Sequence, residues 1–357
     1  MTRAVHQLLS DFAAGDAIGA IAQQTQLMLR DMGFRSEIYA HFIDERLRSH
    51  AFPAERLDEE LGTDDAVIYH MAIGSPQARR MARLRATKVV LYHNITPTIY
   101  YRATNPRVAN RLEEGRRELA MLVPRVDLCI GVSEFNVEEL RLLGARRSVV
   151  VPPLLDLERL RPRSARPSSP PLLVFVSRVA PNKRHDDLIR TLAALRATAQ
   201  PEARMVIVGR FTDTEAYVES LERLAADLGV SNAVRWAGRL DDHATGDLYA
   251  QASVYVCASE HEGFCVPLLE AMAFDVPVVA YAAGAVPDTL DGAGLLLRRK
   301  EPLLWAAAID RVLRDRALRA ALTSAGRRRV ADFAPSVIRN RLADALHSVG
   351  IVADGRR

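Results

Sequence analysis

Two glutamates, Glu262 and Glu270, stand with seven residues between them in HEGFCVPLLEAMAFDVPVVA, and glycine, phenylalanine, cysteine and proline lie in that interval. A carboxylate accepts hydrogen bonds from two hydroxyls at once, the arrangement that a ribose or hexose presents. Gly263 lets backbone approach a ligand closely. Pro267 suits the first turn of a helix, where its missing N–H costs little. Free N–H groups near Phe264, Cys265 and Val266 would then point at an anion, as helix N-termini do for phosphates. Two acids beside such an anion are unfavourable unless hydroxyls or a cation intervene. Cations stand upstream in SRVAPNKRHDD, where Arg178 supplies a planar donor fork and Lys183 a mobile point charge, a pair able to grip a diphosphate. Taken alone, that spacing reads equally well as two exposed surface cations.

Short apolar runs alternate with helical-period stretches in both halves, the pattern of parallel sheets flanked by helices. Strands are expected at 4–9, 36–40, 66–70, 88–92, 127–132 and 148–151, and again at 172–178, 204–208, 233–237, 253–257, 277–281 and 294–297. Helices are expected between them, including 20–32, 107–122, 186–197, 215–228, 247–251, 267–274 and much of 302–347. The stretch 152–171, PPLLDLERLRPRSARPSSPP, reads as a linker. No internal repeat appears. The expected domains are residues 1–165 and 166–334, followed by a C-terminal helical stretch at 335–357. Sheets of this kind bind ligands beyond the carboxyl ends of their strands. Arg178, Lys183 and Glu262 all follow such ends, as do Gly15, Asp16 and Gly19 in SDFAAGDAIG, His70 in VIYHMAIGSP and His93 in YHNITP. Each of the latter has a structural alternative. Asp16 favours turns, His93 reads also as a hydrogen-bonded strand-end histidine, and Tyr100, Tyr101 and Arg102 serve either an acceptor or loop packing.

The chain's 357 residues exceed what one hydrophobic core supports, so two domains are the expectation. With 49% hydrophobic and 26% charged residues, it reads as an ordinary folded, soluble protein. The net charge of +4 comes from arginines dispersed among nearly as many acids, and no nucleic-acid reading motif accompanies them. The dense run ARRMARLRATK at 78–88 is either a solvated helix face or a patch for anionic lipid headgroups or a diphosphate-bearing acceptor. Cys129, Cys257 and Cys265 are odd in number and lack paired metal-ligand spacing, so neither a zinc site nor a disulfide framework is expected. A reducing cytoplasm fits that usage. MTRAVHQLLSDF reaches Asp11 too soon for a signal peptide, and no run approaches the roughly 20 apolar residues of a spanning helix. Membrane contact is therefore expected to be peripheral, at the inner face of the cell membrane. No G-x-G-x-x-G follows the first strand of either half, which argues against a dinucleotide oxidoreductase.

The ordered set of Arg178, Lys183, Glu262 and Glu270, within HEGFCVPLLEAMAFDVPVVAYAAGAVPD, closely resembles glycosyltransferase family four, retaining enzymes of the GT-B fold. SDFAAGDAIG, YHNITP and GVSEFNVEEL resemble the same family's glycine loop, histidine loop and following strand–helix unit. The resemblance implies an α/β protein of two Rossmann-like doubly wound domains facing across a cleft. Residues 1–165 would form the acceptor side and 166–334 would bind the sugar nucleotide, with the helix in 335–357 crossing back to the first domain. Arg178 and Lys183 would neutralise the donor diphosphate and stabilise it as it leaves. Glu262 would hold hydroxyls of the transferred sugar and Glu270 the ribose. Backbone at Gly263, Phe264, Cys265 and Val266 would touch phosphate and sugar, while Gly238 and Arg239 border the base. Gly15, Asp16 and Gly19 would close over the diphosphate, and His93 would face the transferred sugar. His70, Tyr100 and Arg102 are acceptor-side candidates. No metal or other cofactor is implied, since cationic side chains and helix dipoles meet the charge. The chain departs from the family's frequent glycine at Cys265, which narrows the room near the donor.

The activity so implied is retaining transfer of a hexose from a sugar nucleotide to a hydroxyl of a glycan or lipid-linked acceptor, as in bacterial surface-glycan synthesis. The leaving phosphate itself would help deprotonate the acceptor. YHNITP and GDAIG are most similar to mannosyltransferases that use GDP-mannose, with a UDP-glucose-type donor as the alternative. A phosphorylase or sucrose-type synthase of the same fold, and a sugar-nucleotide-binding module without turnover, are the rival readings.

Overall fold

The computed structural model describes residues 3–160, 162, 168–211 and 214–353, so the expected boundary at 165/166 and the tail from 354 lie outside the described residues. The chain divides into two compact units. One takes in residues through Thr98, Arg107–Leu155 and the chain from Phe333; the other takes in Ile99–Pro106 and Asp156–Asp332.

The first unit is built on β1 (Val5–Phe12), β2 (Ile38–Ile43), β3 (Phe52–Pro53), β4 (Ala66–Met71), β5 (Thr87–Tyr92), β6 (Leu128–Gly131) and β7 (Ser148–Val150). They form one parallel sheet in the order β3-β2-β1-β4-β5-β6-β7. Every residue of β4 is buried, as expected for a parallel strand covered on both faces. Leu9, Phe12, Ala22, Ile38 and Ala40 join one apolar cluster between β1, β2 and the helix Ala17–Asp31. The helix Pro335–His347 belongs to this unit, with Ile338 and Leu342 beside Ile68 and Val151 and with Arg339 paired to Asp31 at 3.0 Å.

The second unit carries β8 (Leu172–Val176), β9 (Arg204–Val208), β10 (Val234–Gly238), β11 (Val254–Cys257), β12 (Val278–Tyr281) and β13 (Leu295–Leu297). These too form a parallel sheet, in the order β10-β9-β8-β11-β12-β13. The α/β, doubly wound reading of the sequence therefore holds in both units. Three local details differ from it. The pairing of Phe52–Pro53 is too short to leave a pattern. The helix expected at 247–251 starts at Asp242, because the Asp241 carboxylate caps the Ala244 N–H. The long C-terminal helical stretch is three helices, broken where Asp315 caps Leu318 and where Pro335 opens the last one. Among the described residues no helix is long and apolar enough to cross a membrane.

The loops that follow β8 and β9 lie against each other. Gly209 has φ +151°, and a Cβ there would sit 1.7 Å from the Ser177 carbonyl oxygen. Gly209→Ala is accordingly expected to cost about 3 kcal/mol or more, at the upper end for single substitutions. A urea-denaturation midpoint equal to that of the parent would show that these two loops separate freely.

Candidate functional site

Strand order reverses once in each sheet, between β8 and β11 in the second unit and between β1 and β4 in the first. Ligand crevices of doubly wound sheets open at such points. In the second unit the loops after β8 and β11 flank the reversal, and they hold Arg178, Lys183 and Glu262.

Pro181 starts a single 3-10 turn, Pro181–Lys183, and Arg184 leaves it in the left-handed region. That turn is tied to the neighbouring loop three ways. Glu260 donates its backbone N–H to the Asn182 carbonyl at 2.9 Å, and Asn182 Nδ2 donates to the His261 carbonyl at 3.3 Å. Lys183 Nζ donates to Glu262 Oε1 at 2.6 Å. The two charged side chains are only 15% and 9% exposed, so neither can be released to water without opening the loops. Burial pushes the Lys183 ammonium down, but the Glu262 carboxylate and the nearby Cys265 sulfur outweigh it and leave its pKa raised. Lys183 stays charged. A second network braces the same loops from outside, with Arg184 on Glu260 at 3.0 Å and on Asp186 at 2.9 Å, and Lys300 on Glu260 at 3.0 Å and on Asp187 at 3.1 Å. Behind Glu262 lies Gly284 (φ +55°), where a Cβ would come within 2.6 Å of the Glu262 carbonyl oxygen; the Ala285 N–H donates to that oxygen at 3.0 Å.

Gly263, Phe264, Cys265 and Val266 lead into the helix Val266–Ala273, with Pro267 in its first turn. Cys265, at φ +70°, is its N-cap and offers no side-chain hydrogen bond, so no side chain caps the turn. The Phe264 carbonyl is fixed by Thr289 Oγ1 at 2.5 Å. Arg178 is exposed at the mouth of the β8 loop. Glu270, on the same helix, is buried and already engaged: Arg159 Nη2 donates to Oε1 at 2.6 Å and the Tyr249 hydroxyl to Oε2 at 2.9 Å. Burial raises its pKa. Gly238 ends β10, its carbonyl accepting the Gly209 N–H at 2.8 Å, and Arg239 is exposed just after it.

The segment with Tyr100 and Arg102, expected within residues 1–165, groups with the second unit. Burial first and the Glu260 carboxylate second push the Tyr100 phenol up to about 12. It borders an open groove of about 770 Å³ shared with Pro181, Arg184, Arg190 and Tyr217. Arg102 is exposed.

In the first unit, Asp16 caps the helix Ala17–Asp31, its Oδ2 accepting from the N–H groups of Ile18 at 3.1 Å and Gly19 at 3.3 Å. The turn that starts at Gly15 therefore has two first-turn donors satisfied by its own aspartate. His93 and His70 form a relay that sequence reasoning missed in its full length. Gln7 Nε2 donates to the Ala22 carbonyl at 2.9 Å, so its Oε1 faces His70 Nε2 at 2.9 Å, and His70 Nδ1 faces His93 Nε2 at 2.9 Å. This fixes both tautomers. His70 carries its proton on Nε2, His93 carries its proton on Nε2, and His93 Nδ1 is left as a hydrogen-bond acceptor. Burial pulls His93 to about 4 and His70 well below its usual value, where His93 adds to the effect. The signal for Gln7 was available, since a glutamine inside VHQLLS is polar in a buried parallel strand. Arg159 and Tyr249 gave none, since they meet Glu270 only through the fold.

The structure adds a juxtaposition of two of the cysteines. Cys257 ends β11 and Cys265 caps the next helix, and the loop between them folds back so that both thiols and Glu262 lie together, their ligand atoms all within 4.8 Å. Linear spacing could not reveal that. Cys129 is buried in the other unit.

With this geometry, residues 156–329 match the family described as glycosyl transferases group 1. Those residues are similar to a group 1 glycosyltransferase domain. A D-inositol 3-phosphate glycosyltransferase of Kineococcus radiotolerans is 34% identical over 221 residues, 55% of this chain and 51% of that protein. A GDP-mannose-dependent monoacylated alpha-(1-6)-phosphatidylinositol monomannoside mannosyltransferase of Corynebacterium glutamicum is 27% identical over 66% of each chain. The chain spans about half the length of the curated relatives it matches. Anabaena Alr3699/HepE, solved in complex with UDP-glucose, is similar in fold, with a TM-score of 0.75 over 98% of this chain and 100% of that one at 20% identity. The matched stretch covers both loops of the Lys183–Glu262 pair, while the histidine relay lies outside it.

The relay makes a prediction with a definite sign. His93 is neutral in the folded state down to about pH 4, whereas in the unfolded chain it binds a proton below about 6.5. The stability it contributes is present above pH 6.5 and is lost as pH falls toward 4, a change on the order of 3 kcal/mol. His93→Asn is expected to flatten the stability–pH slope over that window, and nitrogen-15 spectra at pH 7 should show an unprotonated Nδ1. A protonated Nδ1 would contradict the relay.

Proposed function

We propose that the protein is a retaining glycosyltransferase that moves a hexose from a sugar nucleotide to a hydroxyl of a glycan or lipid-linked acceptor. The observation that carries this reading is the joining of Lys183 and Glu262 at the strand-order reversal, beside a helix start that no side chain caps. The pair sets a cation for a diphosphate next to a carboxylate for sugar hydroxyls, and the helix start adds backbone donors for the same anion.

In this reading Lys183, with the exposed Arg178, neutralises the diphosphate as its negative charge grows on bond breaking, a role for fixed charges that is among the largest in catalysis. Glu262 accepts from the sugar hydroxyls through the lone pairs that Lys183 leaves open. Glu270, held rigid by Arg159 and Tyr249, accepts from the ribose. Backbone at Gly263, Phe264, Cys265 and Val266 meets phosphate and sugar, and Gly238 and Arg239 border the base. The fixed His93 acceptor at Nδ1 takes a hydrogen bond from a hydroxyl of the transferred sugar, with His70 and Gln7 setting its tautomer. The leaving phosphate takes the acceptor's proton, and the cations do the work elsewhere given to a metal. GDP-mannose is the proposed donor, supported by the name of the Corynebacterium glutamicum relative. UDP-glucose is the second reading, supported by the nucleotide sugar bound to the Anabaena protein. The proposed place of action is the cytoplasmic face of the membrane, where a lipid-linked acceptor is reached by peripheral contact.

Thermal unfolding without added metal, against GDP-, UDP- and ADP-sugars, tests this reading. One nucleotide class at 100 times its dissociation constant should add about 2.7 kcal/mol, and Arg178→Ala should remove most of that gain. Glu262→Ala should lower transfer by about 10²-fold or more. Stabilisation by none of these donors would count against the assignment.

A further inference from the structure

Cys257, Glu262 and Cys265 form a compact buried set of ligand atoms, all within 4.8 Å of one another. We propose that these three side chains are a capture site for a thiophilic divalent cation, zinc in the first instance, that switches the second unit's site off. Zinc bonded to two thiolates at about 2.3 Å and to a carboxylate at about 2.0 Å places its ligands roughly 3.5 to 3.8 Å apart. The observed separations, none above 4.8 Å, are close to those distances. Two thiolates and a carboxylate are the soft-leaning donor set that favours zinc over magnesium or calcium.

The charges also balance. Two thiolates and one carboxylate carry three negative charges, which one divalent cation and the neighbouring Lys183 ammonium cancel. Lys183 already holds Glu262 Oε1, and the metal takes Oε2. On capture both S–H bonds break, two S–Zn bonds form, and two protons pass to solvent. No electron moves. The consequence follows from which groups are taken: the carboxylate and the helix N-cap are locked to the metal. Capture itself rests only on these three side chains, whereas its effect on sugar transfer rests on the proposed function.

Titration of the purified, reduced protein with cobalt(II), followed by zinc displacement, tests the site. One cobalt per chain with a thiolate-to-cobalt charge-transfer band is expected. The band should vanish in Cys257→Ala and in Cys265→Gly, whose glycine is at ease at the positive φ and keeps the fold, and should persist in Cys129→Ala. Zinc is expected to lower transfer at least tenfold in the parent protein and to leave Cys257→Ala unaffected. A parent protein with no band, or a band that survives both Cys257→Ala and Cys265→Gly, overturns the site. A band of the expected kind in a protein that transfers no sugar from any donor supports the site and counts against the transferase reading.

Discussion

The second unit's site depends on one constraint: a lysine and a glutamate from two loops, both largely withdrawn from water, satisfy each other. Each charge alone would carry a desolvation penalty of several kcal/mol. Joined at 2.6 Å, Lys183 and Glu262 fix the loop after β8 against the loop after β11. The rest of the local architecture serves that meeting. Asn182 and Glu260 lock the backbones, Gly284 gives the glutamate its space, and Arg184 and Lys300 hold the outer acids. The strand-order reversal matters because it alone brings the ends of β8 and β11 side by side while their following helices diverge.

The two units handle charge differently. In the second, buried charge is kept and paired, and the helix that begins at Val266 has no side chain over its first turn. In the first, Gln7, His70 and His93 form a neutral chain whose hydrogen-bond direction is set at the Ala22 carbonyl. In the first unit the Asp16 carboxylate fills the start of the helix Ala17–Asp31.

Much of the fold was legible because buried parallel strands leave continuous apolar runs. LLVFV, VIYHM and SVYVC each became a strand, and the residues just after them became the loops of interest. The placing of Arg178, Lys183 and Glu262 on loops after strand ends was legible for the same reason, since strand ends in a doubly wound sheet converge. What escaped was whatever depends on side chains meeting across the sequence. Cys257 and Cys265 show no metal-like spacing, yet a loop that folds back joins them. Arg159 sits in a stretch that reads as linker and nevertheless holds Glu270. Gly284 looks like an ordinary turn glycine until its contact with Glu262 is seen. The two residues of β3 and the caps at Asp241 and Asp315 are local events too short to shape a period.

The most direct test of this account is a double-mutant cycle on Lys183 and Glu262, with Lys183→Met and Glu262→Gln measured singly and together by urea denaturation. If the pair clamps the loops, each single change costs about 2 kcal/mol or more and the double change costs clearly less than the sum, with a coupling of about 2 kcal/mol. Additive losses, within about 0.5 kcal/mol, would mean that the two charges do not depend on each other and that the loops are held by something else.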